Sequence, residues 1–220
     1  MISNPINNGL NGIAKIPGDK SISHRSIIIP SISNGISEIS NILRSDDVMH
    51  TLNAFKNMGV KIEEQNKKFL IYGKGLNSLS KPNNDIYLGN SGTSARLLTG
   101  ILSTQKFEAT LTGDNSLSKR PMNRIADPLN RMNANILTSN GSLPMLIKGT
   151  NLTAGNVDLK IPSAQIKSGI LLASLNTEGE TKITEHKITR DHTEIMLQSF
   201  GANIKTQRIE NKKLIKICGR

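Results

Sequence analysis

Three short segments each follow a run of small polar residues with a cation at the start of an apolar stretch. Lys20-Ser21-Ile22-Ser23-His24-Arg25 combines a mobile ammonium, a hydroxyl and a planar guanidinium, groups suited to phosphate or carboxylate. Gly89-Asn90-Ser91-Gly92-Thr93-Ser94-Ala95-Arg96 sets glycines around Asn-Ser, so a ligand could approach the backbone closely. No Gly-Lys-Ser/Thr follows, which excludes a Walker loop. Ser163-Ala164-Gln165 offers a hydroxyl and an amide, with Lys167 close behind. If each segment opens a helix, its free backbone N–H groups and the positive end of the dipole favour an anion there. An ordinary capped helix with surface cations would have the same appearance, so the two readings stand side by side at each segment.

Two further segments add cations. Leu117-Ser118-Lys119-Arg120-Pro121-Met122 places adjacent cations before a helix that Pro121 could begin. Thr189-Arg190-Asp191-His192-Thr193-Glu194 reads as another helix entry, with Asp191 as cap and Arg190 just outside it. A solvated charge cluster is the plain alternative for either.

The elements that must position these groups recur. Helix-period runs end at Met58-Gly59, Met132-Asn133 and Phe200-Gly201, each followed by a short strand-like stretch. Gly59, Asn133 and Gly201 occupy the position where a left-handed cap ends a helix. Arg25, Arg96 and Lys167 lie 71 residues apart, and three such units nearly fill the chain. Alternating stretches such as Phe69-Leu70-Ile71-Tyr72, Glu108 to Thr112, Met145-Leu146-Ile147, Val157 to Ile161 and Leu214 to Ile217 supply strands between the helices. Each unit therefore reads as strand, helix, strand, helix, strand, strand. The expectation is an α/β domain with three-fold pseudo-symmetry that brings the three helix starts to one shared anionic pocket. Chance similarity in an Ile-, Asn- and Lys-rich chain is the competing explanation.

Composition narrows the ligand. The 220 residues hold 28 Lys and Arg against 17 Asp and Glu, a formal charge of +11. A basic surface can bind nucleic acid or draw small anions into a cleft. Two Tyr, four Phe and no Trp leave little with which to stack bases. Cys218 is the one cysteine, so neither an internal disulfide nor a CxxC…CxxC metal site can form. Apolar runs are too short to span a bilayer, and Met1 to Gly12 has no signal or transit pattern. The expectation is a cytoplasmic protein.

Taken in order, Pro17 to Arg25, Leu88 to Arg96, Lys119 to Met122, Pro162 to Gln165 and Thr189 to Thr193 resemble the N-terminal half of the 5-enolpyruvylshikimate-3-phosphate synthase family. The resemblance implies an enolpyruvyl-transferase-type fold of two domains, each packing three βαβαββ repeats, of which one domain is present. It implies a domain over residues 15–220 with repeats at about 15–85, 86–156 and 157–220, and a segment 1–14 that pairs with the missing C-terminal domain. The implied activity is transfer of the enolpyruvyl group of phosphoenolpyruvate to the 5-hydroxyl of shikimate 3-phosphate, releasing phosphate, on the route to chorismate and aromatic amino acids. No metal or organic cofactor is implied. The full enzyme is expected to be a monomer without nucleic-acid or membrane partners, and a glyphosate target.

By the family's pattern, Lys20 is catalytic and, with Arg25, contacts both substrates. Ser21, Ser163, Ala164, Gln165 and Arg190 hold shikimate 3-phosphate. Asn90, Gly92 and Arg120 surround phosphoenolpyruvate, while Arg96 supports their loop. The family's acid and base groups come from the other half, so the chain alone is expected to bind substrate and not to turn it over. UDP-N-acetylglucosamine enolpyruvyl transferase is the rival on the same fold. It usually depends on a loop cysteine of this half and on Gly-Ala-Lys-Asn where this chain has Gly18-Asp19-Lys20-Ser21. A polyanion-binding module without catalysis, and a non-catalytic half-domain, are the remaining alternatives.

Overall fold

The structure is a computed structural model that describes residues 11–220. Six α-helices and eleven strands alternate among these residues: α1 (Lys20–Ser31), β1 (Asn34–Ile39), α2 (Asp46–Asn57), β2 (Lys61–Gln65), β3 (Lys68–Lys74), β4 (Ile86–Tyr87), α3 (Gly92–Leu102), β5 (Glu108–Thr112), α4 (Asn123–Arg131), β6 (Asn135–Ser139), β7 (Ser142–Lys148), β8 (Asn156–Leu159), α5 (Ala164–Ser174), β9 (Glu180–Glu185), α6 (His192–Ser199), β10 (Asn203–Ile209) and β11 (Lys212–Cys218). A 3₁₀ turn, Leu117–Lys119, precedes α4.

The strands form three sheets ordered β1-β3-β2, β4-β5-β7-β6 and β8-β9-β11-β10. In the second and third, the leading strand pairs in parallel and the rest are antiparallel. The connectivity is the expected one. The first sheet has only the antiparallel part, and no strand precedes α1 among the described residues. Residues 1–10 of the segment expected to pair with a second domain lie outside the described residues. Ile13 and Ile16 just after them are exposed.

Local chemistry accounts for the helix limits. Asp19, Ser91 and Ser163 are the N-caps of α1, α3 and α5, and each side chain accepts from the backbone N–H three residues on, that of Ile22, Ser94 and Ile166. Met58, Met132 and Phe200 end α2, α4 and α6, and Gly59, Asn133 and Gly201 follow with φ of 86°, 72° and 87°, the left-handed turn that stops a helix. Pro121 lies outside α4, which starts two residues later with Met122 as its cap residue, and Asp191 makes no side-chain capping bond to α6.

Helices α1, α3 and α5 are buried along most of their length and contribute Ile27, Ile28, Leu97, Leu98, Ile170 and Leu171 to one continuous core. Helices α3 and α5 touch backbone to backbone: a Cβ on Gly100 would lie 1.9 Å from the Gly169 carbonyl oxygen. That crossing holds the N-termini of α3 and α5 side by side.

The caps also correct the spacing taken from the cations. Asp19, Ser91 and Ser163 are 72 residues apart, not 71. Counted from its own cap, Arg25 is sixth, Arg96 fifth and Lys167 fourth. Each position turns about 100° around a helix, so the three cations leave their helices in different directions. They are not equivalent, and Lys167 does not line the shared pocket.

Candidate functional site

A cavity of about 580 Å³ opens where α1, α3 and α5 begin, lined by Asp19, Lys20, Ser21, Asp47, Asn90, Gly92, Thr93, Arg120, Gln165 and Arg190. That volume suits a small ligand. Helix N-termini converge there because the Gly100–Gly169 crossing aligns α3 with α5, and α1 packs beside them. Backbone N–H groups and dipole ends of one sign then face a common space.

Each wall has its own support. Lys20, in the first turn of α1, pairs with Asp47 from the first turn of α2. Arg120 donates to the Asn90 side-chain oxygen, tying the turn before α4 to the loop before α3. Arg190, ahead of α6, donates to Ser21 Oγ at 3.1 Å. Gln165 donates from Nε2 to Thr93 Oγ1 at 2.9 Å.

Arg96 stands behind that loop. Its Nη1 donates to Gln165 Oε1 at 2.8 Å and the Gly92 carbonyl at 3.2 Å, and its Nη2 to the Pro121 carbonyl at 3.2 Å. Its pKa is lowered first by burial and then by the like charges of Arg120 and Arg124. Such crowding of cations is relieved when an anion binds among them.

Gly92 is wedged between two of these guanidinium groups. A Cβ there would lie 2.8 Å from Arg96 Nη1 and 3.0 Å from Arg120 Nη1. Gly89, at φ 55°, takes a left-handed turn against α2, where a Cβ would meet His50 Nε2 at 2.5 Å.

The structure thus gathers Lys20, Ser21, Asn90, Gly92, Arg120, Gln165 and Arg190 around one space. Ser163 and Ala164 are at the start of α5 without lining it, and Ser163 Oγ accepts from the Ile166 N–H. Arg25 is only 4% exposed. It donates from Nε to Thr193 Oγ1 at 2.6 Å, from Nη1 to the Ser21 carbonyl at 2.8 Å and from Nη2 to Ser168 Oγ at 2.8 Å. Burial lowers its pKa to about 10, against the opposing pull of Glu194, so it remains charged at neutral pH while joining α1 to α5 and α6.

Lys167 belongs to a buried ion cluster instead, 2.9 Å from Glu185 and 2.8 Å from Glu194. Lys213 joins Glu194 from β11 at 3.3 Å. The pairing of Lys20 with Asp47 and the contact of Thr93 with Gln165 leave no local signal in the sequence, because the partners lie 27 and 72 residues apart.

A larger groove, about 810 Å³, runs between α4 and β8 beside Arg124, Asp127 and Arg131. It takes in none of the residues gathered at the helix N-termini. No helix among the described residues is long and apolar enough to cross a membrane.

Comparison with known proteins agrees with this geometry. The sequence matches the family model for EPSP synthase (3-phosphoshikimate 1-carboxyvinyltransferase) over residues 5–219. It is 54% identical over 198 residues to the 3-phosphoshikimate 1-carboxyvinyltransferase of Ruthia magnifica subsp. Calyptogena magnifica, covering 90% of this chain and 46% of that protein. The protein of the same name from Oceanobacillus iheyensis is 50% identical over 204 residues, 92% of this chain and 48% of the relative. The solved structure of EPSP synthase from Acinetobacter baumannii superposes with a TM-score of 0.89 at 50% identity, over 94% of this chain and 47% of that one. The enolpyruvyl transferase NikO from Streptomyces tendae shares the fold, with a TM-score of 0.70 at 19% identity. The chain spans about half the length of the curated relatives it matches. With the family model covering nearly every residue and half of all positions identical to named relatives, the chain belongs to the EPSP synthase family.

Proposed function

We propose that this chain supplies the N-terminal half of a 3-phosphoshikimate 1-carboxyvinyltransferase, the half that binds the phosphates and carboxylates of both substrates. One observation carries the reading: Lys20, Arg120 and Arg190 share a cavity onto which three helix N-termini open. The complete enzyme would move the enolpyruvyl group of phosphoenolpyruvate to the 5-hydroxyl of shikimate 3-phosphate and release phosphate. Residues 15–220 would form its first domain, facing a second domain across the cavity.

Within this reading the cavity has two sides. Ser21, Arg190 and Gln165, with Ser163 and the Ala164 backbone at the start of α5, hold shikimate 3-phosphate. Asn90, Gly92 and Arg120 hold phosphoenolpyruvate, backed by Arg96. Lys20 lies between the two and serves both. Asp47 keeps Lys20 directed across the cavity until an anion competes for it. Arg25 fixes the wall behind Ser21 through its carbonyl.

The reaction needs a proton delivered to the methylene carbon of phosphoenolpyruvate and a base at the attacking hydroxyl. Both the proton donor and the hydroxyl's base are expected from the other half, while Lys20 serves as a positive charge between the two substrates.

Titrating the ¹⁵N-labelled chain with shikimate 3-phosphate and with phosphoenolpyruvate tests the proposal. Amide shifts should move at Lys20–Ser21 and Gln165 with the first and at Asn90–Gly92 with the second. Phosphate release from both substrates at high protein concentration should stay near background. Absence of shifts with both substrates would refute the binding role, and turnover of ordinary enzyme size would refute the division of labour.

A further inference from the structure

A line of polar side chains lies inside the core directly beneath this cavity, and none of them lines it. His24 of α1 is fully buried, with Nδ1 2.7 Å from Thr51 Oγ1 of α2 and 3.4 Å from Ser94 Oγ of α3. Thr51 Oγ1 is 2.6 Å from Ser94 Oγ, which is 2.5 Å from Ser91 Oγ. Ser91 is the cap of α3 and accepts from the Ser94 N–H at 3.2 Å. Four buried side chains on three helices thus run from the second turn of α1 to the residue between Asn90 and Gly92.

The protons can be placed. Thr51 has one hydroxyl proton and a backbone acceptor one turn back, the Asp47 carbonyl at 3.2 Å. Nδ1 then carries its own proton and donates to Thr51. Ser94 donates to Thr51, Ser91 donates to Ser94, and every hydroxyl proton in the line has an acceptor. The far ring nitrogen, His24 Nε2, is buried with no partner among the described residues. A proton there would be an orphaned buried donor, a rare and costly state. The charged ring would carry the same orphan and a desolvated charge. Burial, with Lys20 and Arg25 nearby, lowers the His24 pKa to about 4 against the opposing pull of Asp47.

We propose that neutral His24, protonated on Nδ1, is a positioning residue that acts through Thr51, Ser94 and Ser91 to hold the Asn90–Gly92 loop in register with Lys20 and Ser21. The inference rests on the substrate reading of the cavity only for what the loop binds; the hydrogen-bonded line itself is independent of it. Its consequence is specific. Losing the line should free the start of α3 and weaken whatever binds at Asn90–Gly92, while ligands held by Ser21 and Arg190 are less affected.

Three measurements on this chain test it. Long-range ¹H–¹⁵N spectra at pH 7 should show His24 neutral with its proton on Nδ1; a proton on Nε2, or a charged ring, overturns the proposal. Thr51→Val keeps the shape and removes the hydroxyl, and should speed amide exchange at Ser94 and Ala95 about tenfold, whereas Thr51→Ser should stay within about twofold of the wild type. Equal exchange in the two variants overturns the proposal, as does no change in either. Should Thr51→Val fail to fold, Ser94→Ala breaks the line at the next hydroxyl and is read at Ala95 in the same way. Phosphoenolpyruvate affinity, read by titration, should fall with the faster exchange. If the wild type binds neither phosphoenolpyruvate nor shikimate 3-phosphate, the substrate reading fails, while the tautomer and the exchange rates still decide the role of His24.

Discussion

Arg190 and Ser21 meet at 3.1 Å although 169 residues separate them in the chain. The contact is exposed, so it adds little to stability. Its value is geometric, because it brings the approach to the last helix against the first turn of α1. Replacing Arg190 by Ala should therefore leave the urea midpoint almost unchanged. Shikimate 3-phosphate affinity should fall on the order of tenfold to a hundredfold, the usual loss for one charge-assisted contact. Isothermal titration checks this, and unchanged affinity would remove Arg190 from the binding wall.

Gly92 should be intolerant of even a methyl group. In Gly92→Ala the Cβ presses on the ends of Arg96 and Arg120, both flexible and able to swing aside. Stability should change by less than about 1 kcal/mol, whereas phosphoenolpyruvate binding should weaken and shikimate 3-phosphate binding should not. Parallel titrations with the two ligands decide it; equal losses would place Gly92 outside the phosphoenolpyruvate side.

Lys167 offers the opposite case, a charge buried away from the cavity. Lys167→Met would leave Glu185 and Glu194 buried without their shared cation, which should cost roughly 3–5 kcal/mol. Urea unfolding measures this. A loss below about 1 kcal/mol would mean that Lys213 or water compensates for the missing charge.

Acid should weaken the fold through His24. Its pKa is about 4 in the folded chain and about 6.5 when unfolded. Between those values the unfolded chain binds a proton that the folded chain refuses, so stability falls as pH drops from 6.5 to 4 and levels off below. The full effect is at most about 3 kcal/mol. Comparing urea midpoints at pH 7 and pH 4.5 for the wild type and His24→Gln isolates it, since the variant should lose less. Equal losses would show that other groups govern acid sensitivity.

Much of this architecture could be read from local chemistry. Gly59, Asn133 and Gly201 announced three helix ends because a left-handed turn restricts residue choice. The motifs at Lys20, Asn90 and Gln165 marked helix starts that do share a cavity. Cation spacing puts the register of the helix starts one residue off, because Arg25, Arg96 and Lys167 are alike in charge and not in position. Lys167 looked like a site cation because nothing in its neighbours along the chain reveals Glu185 and Glu194 packed around it. His24 was hidden for the same reason, since its partners come from two other helices. Pairing of the first sheet, which among the described residues holds only its antiparallel part, is also a long-range matter on which local pattern is silent.

The Gly100–Gly169 crossing and the Arg190–Ser21 contact also set an order of events. Walls of the cavity come from α1 at one end of the chain and from the approach to α6 at the other, so the binding surface depends on contacts of very long sequence separation. Such contacts form late and slowly in folding. On a ribosome, the first two sheets could be complete while the cavity still lacked a side. The lining of the cavity would be complete only after residue 190 has emerged, which makes the cavity a late product of folding.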